Sequence, residues 1–317
     1  MGKLGFESVL WPLWSPLGLL LVGLCVGSFI NLVVRRLPLM MERHWWQDTA
    51  DQLQCTPGPG EWRGPAAEDD PARARRLAVG DELRARLQGL PALNLAWPRS
   101  HCPGCGHVLA WHENLPLLGW LRLRGRCSAC GMAIGWRVLL VELFTGLMFW
   151  GMGWRWGFGP VALLWGAWGA ALLALALIDW DTTWLPDALT QPLLWAGLVA
   201  AALGWTLPLS EALWGAVAGY AGLWVVVAVF ERLTRQEAMG GGDLKLLAAL
   251  GAWLGPAALL PLAFIASCLG VAVGLVMKSR GALREGRFVP FGPFLALAGG
   301  VVAWWGLGDG AMGMGAR

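Results

Sequence analysis

The chain has 317 residues, 56% of them hydrophobic and only 14% charged, well below the usual quarter for a soluble domain. The net charge of +3 carries little information because the basic residues gather in certain loops, and no nucleic-acid partner is expected. Such a composition excludes an ordinary soluble enzyme and predicts an all-α polytopic membrane protein with about eight transmembrane segments.

Apolar runs predict spans over residues 9–34, 138–154, 160–178, 188–207, 212–230, 244–254, 256–277 and 290–306. The first is expected to be an anchor rather than a cleaved signal, since Lys3 is the only basic residue before it and Arg35-Arg36 follow it. Residues 1–37 then form the anchor, 38–137 a cytoplasmic loop and 138–317 a multi-helix membrane domain. The stretch Arg35–Arg137 holds 14 Arg against 10 Asp and Glu, and Lys278, Arg280, Arg284 and Arg287 crowd a later loop. The positive-inside rule puts these loops in the cytoplasm. Residues 244–254 are too few for a full crossing, so a short hairpin turning at Gly255-Pro256 is expected there.

The cytoplasmic loop has two textures. Residues 47–91 are rich in charge, Ala, Pro and Gly and read as a flexible insert, with a short helix near 81–90. Residues 99–137 carry Cys102-x-x-Cys105 and Cys127-x-x-Cys130. Two such pairs present four thiolates to one tetrahedral ion, so a structural zinc is expected, and it supplies folding free energy that so small a module lacks. Disulfides are the competing reading, disfavoured in a reducing compartment. Cys25, Cys55 and Cys268 have no partner at metal spacing.

The membrane part holds the chemistry. A carboxylate at the edge of a lipid-buried run is costly unless it is paired, hydrated or employed. Asp179 ends an apolar run, and Asp243 follows Gly240, Gly241 and Gly242 before another. By charge placement both fall on the cytoplasmic side. Asp181 reads as loop charge, and Asp187 as a helix N-terminal acid and the second choice for catalysis. The three glycines allow a substrate backbone to approach. All four His (His44, His101, His107, His112) lie in the loop, and there is no H-E-x-x-H. Two facing carboxylates sharing one proton, Asp179 and Asp243, point to aspartic peptidase chemistry. The rival readings are a transporter whose acids bind protons or cations, and a zinc-stabilised scaffold without catalysis.

These motifs together resemble the type IV prepilin peptidases, the leader peptidase/N-methyltransferases that act on prepilins and type II secretion pseudopilins. The resemblance is carried by Gly27-Ser-Phe-Ile-Asn31 with Arg35-Arg-Leu-Pro38, the paired C-x-x-C, and Glu113-Asn-Leu-Pro116. It continues through Arg124-Gly-Arg-Cys127, Val141-Glu142, residues 179–187, Gly240–Lys245 and Pro290-Phe-Gly-Pro293. It implies GxGD-type catalysis by Asp179 and Asp243 and removal of a basic leader after a glycine at the cytoplasmic face of the bacterial inner membrane. It also implies methylation of the new N-terminus from S-adenosylmethionine. Gly125 and Glu142 are the candidates for methyl transfer, against plainer readings as a turn glycine and an interfacial carboxylate. Asn31 and Arg35 are candidates to contact a leader or lipid headgroups, with plain positive-inside anchoring the favoured account of Arg35. The oligomeric state is not legible.

Overall fold

The computed structural model describes residues 14–55, 71–235, 239–281 and 289–306. The start of the first expected span, residues 56–70 of the insert, and Arg284 and Arg287 lie outside the described residues. Every regular element among the described residues is a helix, and the chain divides into two compact units.

The smaller unit, Arg35–Ala110, contains the second half of α1 (Pro16–Cys55) and all of α2 (Pro71–Gln88). At 1.5 Å per residue the 40 residues of α1 reach about 60 Å, twice a bilayer core. The helix therefore continues far past the expected end at residue 34, through Pro38 and on helix-forming Leu, Met, Glu and Arg. This corrects the expected flexible insert: residues 47–55 and 71–88 are helical and packed together. Gly80 of α2 lies against the Ala50 carbonyl and the Leu53 side chain, and Arg84 pairs with Asp51 at 2.6 Å. The Arg36 guanidinium donates to the carbonyls of Asn94, Leu95 and Pro98 and fastens the following loop.

The larger unit runs up to Val34 and resumes at Trp111. A short helix, α3 (Leu118–Arg122), precedes six longer ones: α4 (Trp136–Trp156), α5 (Pro160–Thr182), α6 (Asp187–Ala202), α7 (Leu209–Thr234), α8 (Gly241–Leu254) and α9 (Leu259–Ser279); α10 (Gly292–Trp305) ends the described chain. The helices Pro16–Gln54, Pro160–Thr182, Leu209–Thr234 and Pro256–Ser279 are long and apolar enough to cross a membrane. This is an all-α membrane protein.

Small residues let the helix backbones meet. In α1 the Gly23-x-x-x-Gly27 pair lies on Thr145, Gly146 and Glu142 of α4, with any Cβ on Gly27 falling 2.7 Å from the Glu142 Cα. In α7 the Gly215-x-x-x-Gly219 pair meets α8, where a Cβ on Gly215 would strike the Gly251 carbonyl and one on Gly219 would sit 2.7 Å from the Leu247 carbonyl. Lipid tails give helices no hydrophobic reason to associate, so close van der Waals approach of this kind carries the association.

The expected short hairpin is short because its first arm is enclosed. Leu244 and all nine residues from Leu246 to Leu254 are buried, and α8 packs on α6, α7, α9 and α10. A helix apolar all round is a core helix. Its Trp253 meets Trp165 edge-on and Trp168 at a tilt, and the indole N–H donates to the Leu193 carbonyl at 2.8 Å. The chain breaks at Gly255, φ +80°, and one 3₁₀ turn (Pro256–Ala258) leads into α9.

Replacing Gly251 with alanine drives a methyl into the Gly215 backbone, with an expected loss of about 1–3 kcal/mol or more. Gly222→Ala, with open space around it, is expected to be neutral or to gain up to ~1 kcal/mol. Thermal unfolding of both variants in detergent checks the contrast, and equal melting temperatures would refute the packing account.

Candidate active site and metal centre

Asp179 sits in the last turn of α5 and is only 4% exposed. The helix stops there because Thr183 turns left-handed, φ +58°, and its N–H donates to the Asp179 carbonyl at 2.7 Å. The carboxylate Oδ2 accepts a hydrogen bond from the Gly292 backbone N–H at 3.0 Å. Only glycine fits there, since a Cβ on residue 292 would lie 2.6 Å from that same oxygen.

Asp243 occupies the first turn of α8. Gly240 and Gly241 before it are exposed, with open space where a side chain would project, whereas Gly242 is pressed on Leu185. Leu185, in the loop between α5 and α6, also touches the Gly292 position. The end of α5 and the starts of α8 and α10 thus converge on one residue. Asp179 and Asp243, 64 residues apart in sequence, are brought within electrostatic reach of each other. The Asp243 Oδ1 is buried and has no hydrogen-bond partner among the described residues.

The other acids of the first cluster separate from this pair. Asp181 forms a two-pronged ion pair with Arg137, 2.8 Å on each prong. Asp187, the second choice, accepts the Lys245 ammonium on both oxygens at 2.7 Å. That bridge joins the first turn of α6 to the first turn of α8. Gly292 and Lys245 are partners of these acids to which the sequence alone assigns no role. Their signals are a glycine between prolines at a helix start, and a lysine two positions after an acid.

The cysteines form two copies of one hairpin. The Cys102 N–H donates to the His107 carbonyl, the Gly106 N–H to the Cys102 carbonyl, and the Leu109 N–H to the Ser100 carbonyl. Twenty-five residues later the Cys127, Gly131 and Ile134 N–H groups bond to the Met132, Cys127 and Gly125 carbonyls at the same offsets. Gly106 and Gly131 hold φ +73° and +71°, the left-handed residue each turn needs. All four sulfurs lie within 4.8 Å of one another. A tetrahedral zinc with ~2.3 Å bonds sets sulfurs about 3.8 Å apart, so the set fits one ion better than two separate disulfides.

Gly125 and Glu142 have structural employment. Gly125, φ +66°, lies flat under the Trp120 ring, where a Cβ would come within 2.7 Å. The buried Glu142 accepts the Leu117 N–H at 2.8 Å and is also hydrogen-bonded by Ser28. Asn31, expected to meet a leader or lipid, donates to the Val138 carbonyl at 3.1 Å and ties α1 to α4.

Two family models match the chain, the Bacterial Peptidase A24 N-terminal domain over residues 21–156 and the Type IV leader peptidase family over residues 166–275. The prepilin leader peptidase/N-methyltransferase of Stutzerimonas stutzeri is 42% identical over 93% of this chain and 92% of its own. Its namesake in Burkholderia pseudomallei is 44% identical over 90% and 84%, and that of Pseudomonas aeruginosa 42% over 93% and 92%. No solved structure matches. With near-complete coverage at this identity, the chain belongs to the type IV leader peptidase family, among the prepilin leader peptidase/N-methyltransferases.

Proposed function

We propose that the chain removes the short basic leader of type IV prepilins and type II secretion pseudopilins, with Asp179 and Asp243 as its catalytic dyad. The observation that carries this reading is the convergence of two carboxylates at one end of the bundle, each where a loop meets an apolar helix. Like charges this near resist ionising together, so the pair holds one proton between them. The ionised member takes a proton from water, and the protonated member polarises the scissile carbonyl. The open backbone at Gly240 and Gly241 leaves room for an extended substrate segment.

The distribution of basic loops supports a bacterial inner-membrane setting with the dyad at the cytoplasmic face. Helix-end placement of both acids argues against the transporter reading, which wants them nearer the middle of the membrane. Zinc, held by Cys102, Cys105, Cys127 and Cys130, would be structural, because four thiolates close the coordination shell. The second activity, methylation of the new N-terminus from S-adenosylmethionine, rests on the relatives' name. Gly125 and Glu142 are the candidates for it, and both are also engaged in packing and hydrogen bonding.

Incubating purified enzyme with a prepilin and S-adenosylmethionine and weighing the product tests both activities. Leader loss with one added methyl supports both, and leader loss alone removes the transferase. Asp179→Asn and Asp243→Asn are each expected to abolish cleavage, a drop of at least ~10³-fold in kcat/KM with an unchanged melting temperature. Normal processing by either variant would sink the dyad.

The Lys245–Asp187 bridge is half exposed, so Lys245→Met should cost under ~1 kcal/mol of stability. It should still lower kcat by about tenfold, because α8 carries Asp243 and small misplacements are expensive in rate. Asp187→Asn should match it, and the double variant should be no worse than either. Complete loss in Asp187→Asn alone would make Asp187 a catalytic acid instead.

Metal analysis should find about one zinc per chain. Cys127→Ser, or chelation, should lower the melting temperature, with zinc restoring the chelated enzyme. A melting curve indifferent to chelation would refute a structural ion.

A further inference from the structure

We infer that the two aspartates have fixed and different roles: the Gly292 backbone N–H holds Asp179 as the ionised base, and Asp243 is the member that carries the proton. This rests on the dyad reading and deepens it. Gly292 is then a positioning residue, acting through Asp179.

The asymmetry is in the hydrogen bonding. Asp179 is buried, and its Oδ2 receives a directed N–H from Gly292. A donor aimed at a carboxylate favours the charged form. The buried Oδ1 of Asp243 has no such donor among the described residues. Ionised, that oxygen is an unmet buried anion; protonated, the carboxyl becomes a donor itself. The first turn of α8 lends Asp243 some positive dipole, a weaker influence than a direct hydrogen bond.

The charged groups on neighbouring elements do not reverse this. On α4, Arg137 is spent on Asp181, and Glu142 is held by the Leu117 N–H. Lys245 of α8 is bound by both oxygens of Asp187 of α6. No titratable side chain occurs in α10. Of α7 and α9, which also pack on α8, the charged residues at the same end are Glu231, Arg232 and Lys278, and among the described residues the charged group that acts on Asp243 is Asp179.

Each step then has an address. Water adds to the scissile carbonyl carbon, its proton passes to Asp179, and the carbonyl oxygen takes the proton of Asp243, giving a neutral gem-diol. The C–N bond breaks as Asp179 returns its proton to the leaving amine, and one gem-diol hydroxyl gives its proton back to Asp243. The products are the carboxylic acid of the leader and the amine of the mature chain, with the dyad restored. One water is consumed and nothing is oxidised or reduced.

The test is the pH profile of kcat/KM on full-length enzyme in nanodiscs, cleaving a prepilin peptide, with residue 292 replaced by glycolate. That ester keeps the shape and deletes only the N–H. In a shared-proton dyad the acid limb marks formation of the mono-anion and the alkaline limb its loss. If Asp179 is the ionised member, the ester moves the acid limb up by about one pH unit and leaves the alkaline limb in place. If Asp243 is the ionised member, the alkaline limb moves and the acid limb stays, which overturns the assignment. A uniform loss of rate with both limbs fixed makes Gly292 merely structural and overturns it too. Should the ester variant misfold, infrared spectroscopy of the conventional variants decides. The wild-type-minus-Asp243→Asn difference spectrum should contain a carboxylic-acid carbonyl stretch, and its absence there is the contrary result. Failure of the dyad itself would appear separately, as cleavage surviving Asp179→Asn.

Discussion

The position of Asp243 depends on a contact well removed from it. Gly215 of α7 and Gly251 of α8 meet backbone to backbone, and no side chain larger than hydrogen fits either place. Eight residues separate Gly251 from Asp243, about 12 Å along a helix, so the depth and rotation of α8 at the glycine contact set where its first turn emerges. Trp253 fixes the far end through its hydrogen bond to the Leu193 carbonyl, and the Lys245–Asp187 bridge fixes the near end. An apolar helix held at three points presents one carboxylate reproducibly. Flexible loops are poor at that task, because a misplacement of an ångström costs rate.

A similar logic governs Asp179. Its burial is costly for an anion, and the compensation arrives from the main chain of α10, 113 residues away in sequence. The glycine at 292 serves twice, supplying the donor and leaving space for the acceptor. The site is therefore built from the ends of helices, where backbone groups are not used up by the helix itself.

Much of this is legible in the sequence for identifiable reasons. Helix positions follow from runs of apolar residues, and α4 to α10 begin and end within a few residues of the expected spans. The four cysteines are legible because their spacing has a coordination meaning, although the equivalence of the two hairpins is not, since it lies in main-chain bonds at matched offsets. The acids at 179 and 243 stand out by their cost in an apolar context. What fails to show is partnership. Nothing local says that Lys245 binds Asp187 rather than Asp243, or that Gly292 faces Asp179. The stretch 47–91 misleads because charge and alanine look alike in a solvated coil and in an exposed helix, and only the pairing of Gly80 with Ala50 separates the two.

The enclosure of α8 bears on how such a protein is made. Its neighbours α6 and α7 precede it in the chain, while α9 and α10 follow. With no lipid-facing stripe of its own, α8 cannot settle as an independent insertion and has to be folded in by helices synthesised on both sides of it. A nascent chain that has reached residue 281 owns both aspartates but lacks the amide that orients the first of them. Proteolytic competence therefore waits on residues synthesised after both aspartates, a built-in delay against cutting before the bundle has closed.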